Sequence, residues 1–160
     1  MDLMRKIPKA DRPHMPGYGI LSTRKGLLPW KWAAGRLSKS HNYWLSTARP
    51  DGRPHCMGVW GVWFEGRFYF SSGRKSLKMR NLAANPYCVV CTENASQPVV
   101  LEGVARKATG TLNRRLCAAY KKKYKYDLDP ELGPVFVVSP RVAFGLVEYQ
   151  MVKTATRWSF

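Results

Sequence analysis

The chain has 160 residues, 45% of them hydrophobic, which is the material for one domain around one core. It sets 27 lysines and arginines against 10 acidic residues, a net charge of +17. No apolar run approaches the roughly 20 residues of a membrane helix, and the start carries no apolar block of secretory type, so a soluble, cytoplasmic protein without a membrane partner is expected.

Residues 1–28 are rich in Pro, Gly and basic side chains without a sustained period, and read as an arm ahead of a single domain at 29–160. A short helix is predicted over 29–37, with Pro29 in its first turn and Trp30, Ala33, Ala34 and Leu37 on one stripe. Strands follow over 42–48, 56–64 and 67–71. They are separated by the turn Arg49-Pro50-Asp51-Gly52-Arg53, where Pro fixes one dihedral and Gly accepts positive φ, and by Glu65-Gly66. Ser76 is placed to cap a helix with the apolar stripe Met79, Leu82 and Ala83, and Asn85-Pro86 ends it, since the residue before Pro avoids helical dihedrals. Two more strands, 87–93 and 99–106, flank a polar loop. The longest helix is predicted over 112–124, with Leu112, Leu116, Ala119, Tyr120 and Tyr124 on one face. Strands at 135–138 and 142–149 precede the tail Ala155-Thr156-Arg157-Trp158. Many short strands with a few helices between them indicate a mainly β barrel with helical insertions.

Cys56, Cys88, Cys91 and Cys117 are expected as reduced thiols. Cys88 and Cys91 are three apart on a strand and so face opposite sides. No second Cys or His pair follows at zinc spacing, and no metal site is expected. His55 reads as a polar strand-end residue in preference to a haem or substrate ligand, and the tryptophans as core and interface in preference to a stacking platform. Lys121-Lys122-Lys123-Tyr124-Lys125 reads as a solvated helix face in preference to a phosphate-backbone contact.

The segment Ser71-Ser72-Gly73-Arg74-Lys75-Ser76-Leu77-Lys78-Met79-Arg80 carries the chemistry. A strand ends in two hydroxyls and a glycine, and a helix then starts among Arg74, Lys75, Lys78 and Arg80. Free N–H groups, a partial positive charge and nearby cations at a helix start suit a phosphate. The net charge asks for an anion too, and both a polyanionic cofactor and nucleic acid supply one.

The run Tyr43-Trp44-Leu45-Ser46-Thr47-Ala48-Arg49-Pro50-Asp51-Gly52-Arg53-Pro54-His55, then Val59-Trp60-Gly61-Val62-Trp63-Phe64-Glu65-Gly66-Arg67-Phe68-Tyr69-Phe70-Ser71-Ser72, then Ser76-Leu77-Lys78-Met79-Arg80-Asn81-Leu82-Ala83-Ala84-Asn85-Pro86, resembles the pyridoxamine-5'-phosphate-oxidase-like superfamily. The resemblance implies a homodimeric split β-barrel with FMN, or alternatively the deazaflavin coenzyme F-420, bound at the dimer interface. It implies that Ser76 and Lys78, helped by Arg80, hold the cofactor phosphate, and that Ser71 and Ser72 add contacts. Val59, Trp60, Gly61 and Val62 would run along the ring, largely through backbone, and Trp158 with Arg157 would reach the ring from the C-terminal side. No catalytic acid or base is assigned, because a flavin exchanges hydride itself while the protein orients the reactants. The family's Arg-x-His substrate motif is missing, so oxidation of pyridoxamine phosphate is not expected. The expected function is a flavin- or deazaflavin-dependent oxidoreductase acting on a small organic substrate, with nucleic acid an improbable partner. The rival readings are a basic nucleic-acid-binding module and a non-catalytic flavin or haem carrier.

Overall fold

The computed structural model describes residues 7–160. It contains strands β1 (Lys9–Asp11), β2 (Tyr43–Ala48), β3 (Pro54–Val59), β4 (Gly61–Phe64), β5 (Arg67–Ser71), β6 (Tyr87–Thr92), β7 (Val99–Lys107), β8 (Val135–Gly145) and β9 (Thr156–Ser159). The helices are α1 (Trp30–Lys39), α2 (Leu77–Ala84), α3 (Arg114–Tyr124) and α4 (Met151–Thr154), the last preceded by a 3-10 turn at Glu148–Gln150. No helix among the described residues is long and apolar enough to cross a membrane.

All strand pairs are antiparallel. β3 bonds to β2, β2 to β6, β6 to β7, β7 to β8, β8 to β5 and β5 to β4. Only Trp60 separates β3 from β4, so the chain itself closes this circuit, with β3 and β4 as two halves of one kinked strand. The architecture is mainly β with a few short helices, as a split barrel requires. The N-terminal part of β8 pairs with β5 and its C-terminal part with β9, which in turn carries β1 on its outer edge.

Alternation along the strands builds the core. Tyr43, Leu45 and Thr47 of β2 point inward, as do Phe68 and Phe70 of β5, and they meet Val90, Leu101, Val138 and Trp158. A second cluster forms where α3 lies over β4: Val62 packs with Leu116, Tyr120, Tyr124, Leu128 and Val135.

Gly61 is the tightest point of the kink. A Cβ there would run into the Phe68 ring and come within 2.9 Å of the Tyr69 carbonyl oxygen. Gly61→Ala is therefore expected to cost about 1–3 kcal/mol or more, as overpacking does in a dense interior, measured as a lowered urea midpoint with an unchanged slope.

Five predicted segments take a different form. The strand expected over 56–64 is broken at Trp60. The two strands expected at 135–138 and 142–149 form one strand, β8, which passes through Pro140 and stops at Gly145. Pro140 is accommodated because it faces Gly103 at a register shift of the β7–β8 ladder, where a missing N–H costs no ladder bond. The tail is a strand, and the arm is not wholly irregular. Although its residues 1–6 lie outside the described residues, β1 pairs with β9, and the Arg12 guanidinium donates to the carbonyls of Thr23, Lys25, Lys153 and Ala155. Cys88 is buried in the core, while Cys91 stands on the opposite face of β6.

Candidate functional site

A cleft of about 790 Å³ opens where the kinked strand changes partner. Its floor is the paired ends of β2 and β3, with Tyr43 opposite Val59 and Trp44 opposite Gly58. Trp60 stands at its lip, 39% exposed. Ser71, Ser72 and Gly73 enter from the end of β5, Lys78 from α2, and Tyr120 from α3. Leu132 and Gly133 come from the loop ahead of β8, and Asn42 and Glu93 complete the wall.

The end of the cleft beside α2 is built by local rules. Ser76 caps α2 by accepting from the Met79 N–H at 3.4 Å, and its hydroxyl also lies 2.8 Å from that of Ser72. A first-turn hydroxyl, the free N–H groups of the helix start and the half-buried Lys78 ammonium then share one corner. Arg74 does not point into this corner. It donates to the Pro130 and Glu131 carbonyls, both at 3.1 Å, and so holds the loop that carries Leu132. Gly133 fits beneath because a Cβ would lie 2.5 Å from the Ser72 carbonyl oxygen.

The other end is controlled by the last turn of α3. The Tyr124 hydroxyl lies within 2.9 Å of the Gly61 nitrogen and 2.8 Å of its oxygen, and it donates to the His41 carbonyl at 2.7 Å. The Lys123 ammonium donates to the Gly61 oxygen at 2.8 Å and to the Tyr43 hydroxyl at 2.7 Å. Trp60 stacks on Tyr124 with ring centroids 4.7 Å apart and planes 10° from parallel. Burial pushes the Lys123 ammonium down from 10.5 to about 8, against the pull of Glu93. Burial pushes the Tyr43 hydroxyl well up and Tyr124 to about 12. Glu93 accepts from Asn42 and the His41 N–H, which hold its carboxyl below the usual range.

The lysine gives a pH signature. The unfolded chain keeps this proton up to about pH 10.5 and the folded protein releases it near 8, so between those limits the unfolded state binds more protons and stability rises with pH. Tyr43, Tyr124 and Cys88 act in the opposite sense above their ordinary values, because the folded state keeps protons that the unfolded state loses. The difference isolates the lysine: the stability of wild type minus that of Lys123→Met is expected to climb across pH 8 to 10.5 in urea titrations. Parallel curves for the two proteins would contradict the burial of this charge.

Of the residues singled out in the sequence, Val59, Trp60, Ser71, Ser72 and Lys78 meet in the cleft. Ser76 stands behind Ser72 as the helix cap, and Arg80 is exposed outside the lining. Gly61 and Val62 are buried, Gly61 with both backbone polar groups engaged by α3 and Val62 in the second cluster, so the backbone available to a ring is that of Gly58, Val59 and Trp60. Trp158 corrects the sequence reading. It is fully buried, because the alternation of β9 turns it inward against Trp30 and over Gly145, and it does not line the cleft. Asn42, Glu93, Tyr120 and Lys123 were not singled out as site residues. For Lys123 the signal was present, since it stands seven residues after Leu116 on the inward stripe of α3.

A kinked antiparallel circuit with a hydroxyl- and lysine-lined cleft at its seam is the arrangement of a split barrel. The family model described as pyridoxamine 5'-phosphate oxidase matches residues 32–147, and the chain belongs to this family. Among solved structures, it is similar to an F-420 reductase (TM-score 0.56, 22% identity, over 68% of this chain and 93% of that one). It is also similar to a heme binding protein from Mycobacterium smegmatis (TM-score 0.63, 20% identity, over 76% of this chain and 56% of that one). A FAD-binding protein from Mesorhizobium loti matches with TM-score 0.57 and 14% identity, over 83% of this chain and 96% of that one. At these identities the likeness is one of fold. No curated protein matches the chain.

Proposed function

We propose that the chain is a cytoplasmic, homodimeric flavin- or deazaflavin-dependent oxidoreductase that acts on a small organic substrate, with FMN as the first candidate cofactor and the deazaflavin coenzyme F-420 as the alternative. The observation that carries this reading is the meeting of Ser71, Ser72 and Lys78 with Val59 and Trp60 in one cleft. The first three, with the start of α2, match a phosphate, and the last two present an apolar floor and an indole to a planar ring. The volume is that of an ordinary small-molecule site. The surplus of 17 positive charges favours an anionic ligand.

Hydride exchange is the chemistry that a flavin supplies when bound. The chain would contribute orientation: Lys78 and the serine hydroxyls would hold the phosphate, while Lys123 and Tyr124 fix the Gly61 kink beside the cleft. Support for an assembly of two copies comes from Trp44 and Tyr87, which stand on outward positions of β2 and β6 and are 53% and 60% exposed.

Activity is tested by anaerobic reduction of the loaded protein with a reduced nicotinamide, followed by reoxidation with a quinone. The oxidoreductase reading expects both steps to be visible in the cofactor spectrum. A bound chromophore inert to every donor and acceptor tried would mark a carrier instead.

A further inference from the structure

Three tyrosines of the described chain are buried: Tyr43, Tyr120 and Tyr124. The hydroxyls of two are engaged. Tyr43 donates to the Leu37 carbonyl at 2.5 Å and accepts from Lys123, and Tyr124 bonds to His41 and Gly61. Tyr120 is 7% exposed and lines the cleft, yet among the described residues its hydroxyl has no hydrogen-bond partner. The ring is buried while the hydroxyl, which is not among the enclosed unpartnered polar atoms, opens into the cleft and is free to bond to what binds there.

The surroundings narrow what the missing partner is. The ring of Tyr120 packs with Val62, Leu116, Leu128 and Val135, and its centroid lies 4.8 Å from that of Tyr124. Its packing neighbours are apolar, and burial raises the phenol above its ordinary value, so near neutral pH it is a neutral donor. A phosphate draws a cation and helix-start N–H groups, which Lys78 and the start of α2 supply. A neutral donor in an apolar wall suits a neutral acceptor, and a planar ring carrying carbonyl oxygens provides one.

We propose that Tyr120 is a recognition residue of the cleft, its hydroxyl donating a hydrogen bond to a carbonyl oxygen of the planar ring bound there. This rests on the cofactor reading above and adds the contact that reads the ring, as distinct from the phosphate. It also gives α3 a role in binding: one face of one helix supplies Tyr120 to the ligand and Lys123 and Tyr124 to the strand beneath it.

The test uses riboflavin and FMN, which share a ring and differ in the phosphate, on the full chain and on Tyr120→Phe and Lys78→Ala. Tyr120→Phe keeps the packing and removes only the hydroxyl. It is expected to weaken both ligands by the same factor, about three- to ten-fold, the measure of one neutral hydrogen bond. Its thermal midpoint without ligand is expected to stay close to that of wild type, because the hydroxyl bonds to no described residue. Lys78→Ala is expected to weaken FMN and leave riboflavin unchanged. Unchanged affinity of Tyr120→Phe for both ligands would overturn the proposal while leaving the cofactor reading standing. Wild type that binds neither flavin would overturn both. A partner for the hydroxyl in a second copy of the chain would show as loss of self-association in Tyr120→Phe, and would also overturn it.

Discussion

Trp158→Ala is expected to lower stability by about 3–5 kcal/mol and to leave flavin affinity of the folded protein unchanged. The indole is fully buried at the seam between β8 and β9, 5.5 Å by ring centroids from Trp30 and against the face of Gly145. Truncation removes the largest fully buried side chain and leaves a cavity that the paired strands around it cannot close. Urea unfolding measures the loss, and a titration under native conditions measures the binding. A loss of stability under about 1 kcal/mol combined with a large loss of affinity would put the indole on the ligand, contrary to its place in the core. Trp158→Phe separates packing from polarity: it retains much of the ring volume and deletes the Nε1 group, which has no partner among the described residues.

Lys78→Ala is expected to weaken FMN by about ten- to a hundred-fold, the equivalent of one charge-assisted hydrogen bond of about 1.5–3 kcal/mol. Lys78 is the only basic side chain lining the cleft among the described residues, whereas Arg74 is committed to the loop carbonyls and Arg80 lies outside. Its removal leaves the hydroxyls and the helix start to hold the phosphate. The effect is expected to shrink as salt rises, as for any partly exposed ion pair. Unchanged FMN affinity in a folded Lys78→Ala protein would displace the phosphate from this corner.

The parts of the fold that local chemistry decides could be read from the residues. The strand Arg67–Ser71, the Ser76 cap and the helix stop at Asn85 follow from alternation, a hydroxyl before a helix, and a proline after it. What escaped is set by distant partners. Nothing in Val59-Trp60-Gly61 marks a break, because the break arises where the strand leaves β2 and joins β5. Pro140 reads as a stop when its opposite number, Gly103, is unknown. The strand Thr156–Ser159 is too short to show a period, so the inward turn of Trp158 was invisible and its aromatic ring passed for a ligand contact. At the site, the corner formed by Ser71, Ser72 and Lys78 is contiguous in sequence, so that these residues come together could be read from it. Tyr120 of α3 and Glu93 beyond β6 reach the cleft from elements distant in sequence, and the inward stripe that carries Lys123 to Gly61 is masked by the basic run around it.

The central claim is that the cleft beside Trp60 holds a flavin-type cofactor. An equilibrium titration of the purified protein with FMN and with the deazaflavin coenzyme in parallel, at about 0.15 M salt, followed by quenching of tryptophan fluorescence and checked on Lys78→Ala, tests it most directly. The account predicts micromolar or tighter binding of at least one of the two, weakened by the substitution. Binding of neither, with nucleic acid retained at that salt instead, would contradict it and assign the basic surface to a polynucleotide.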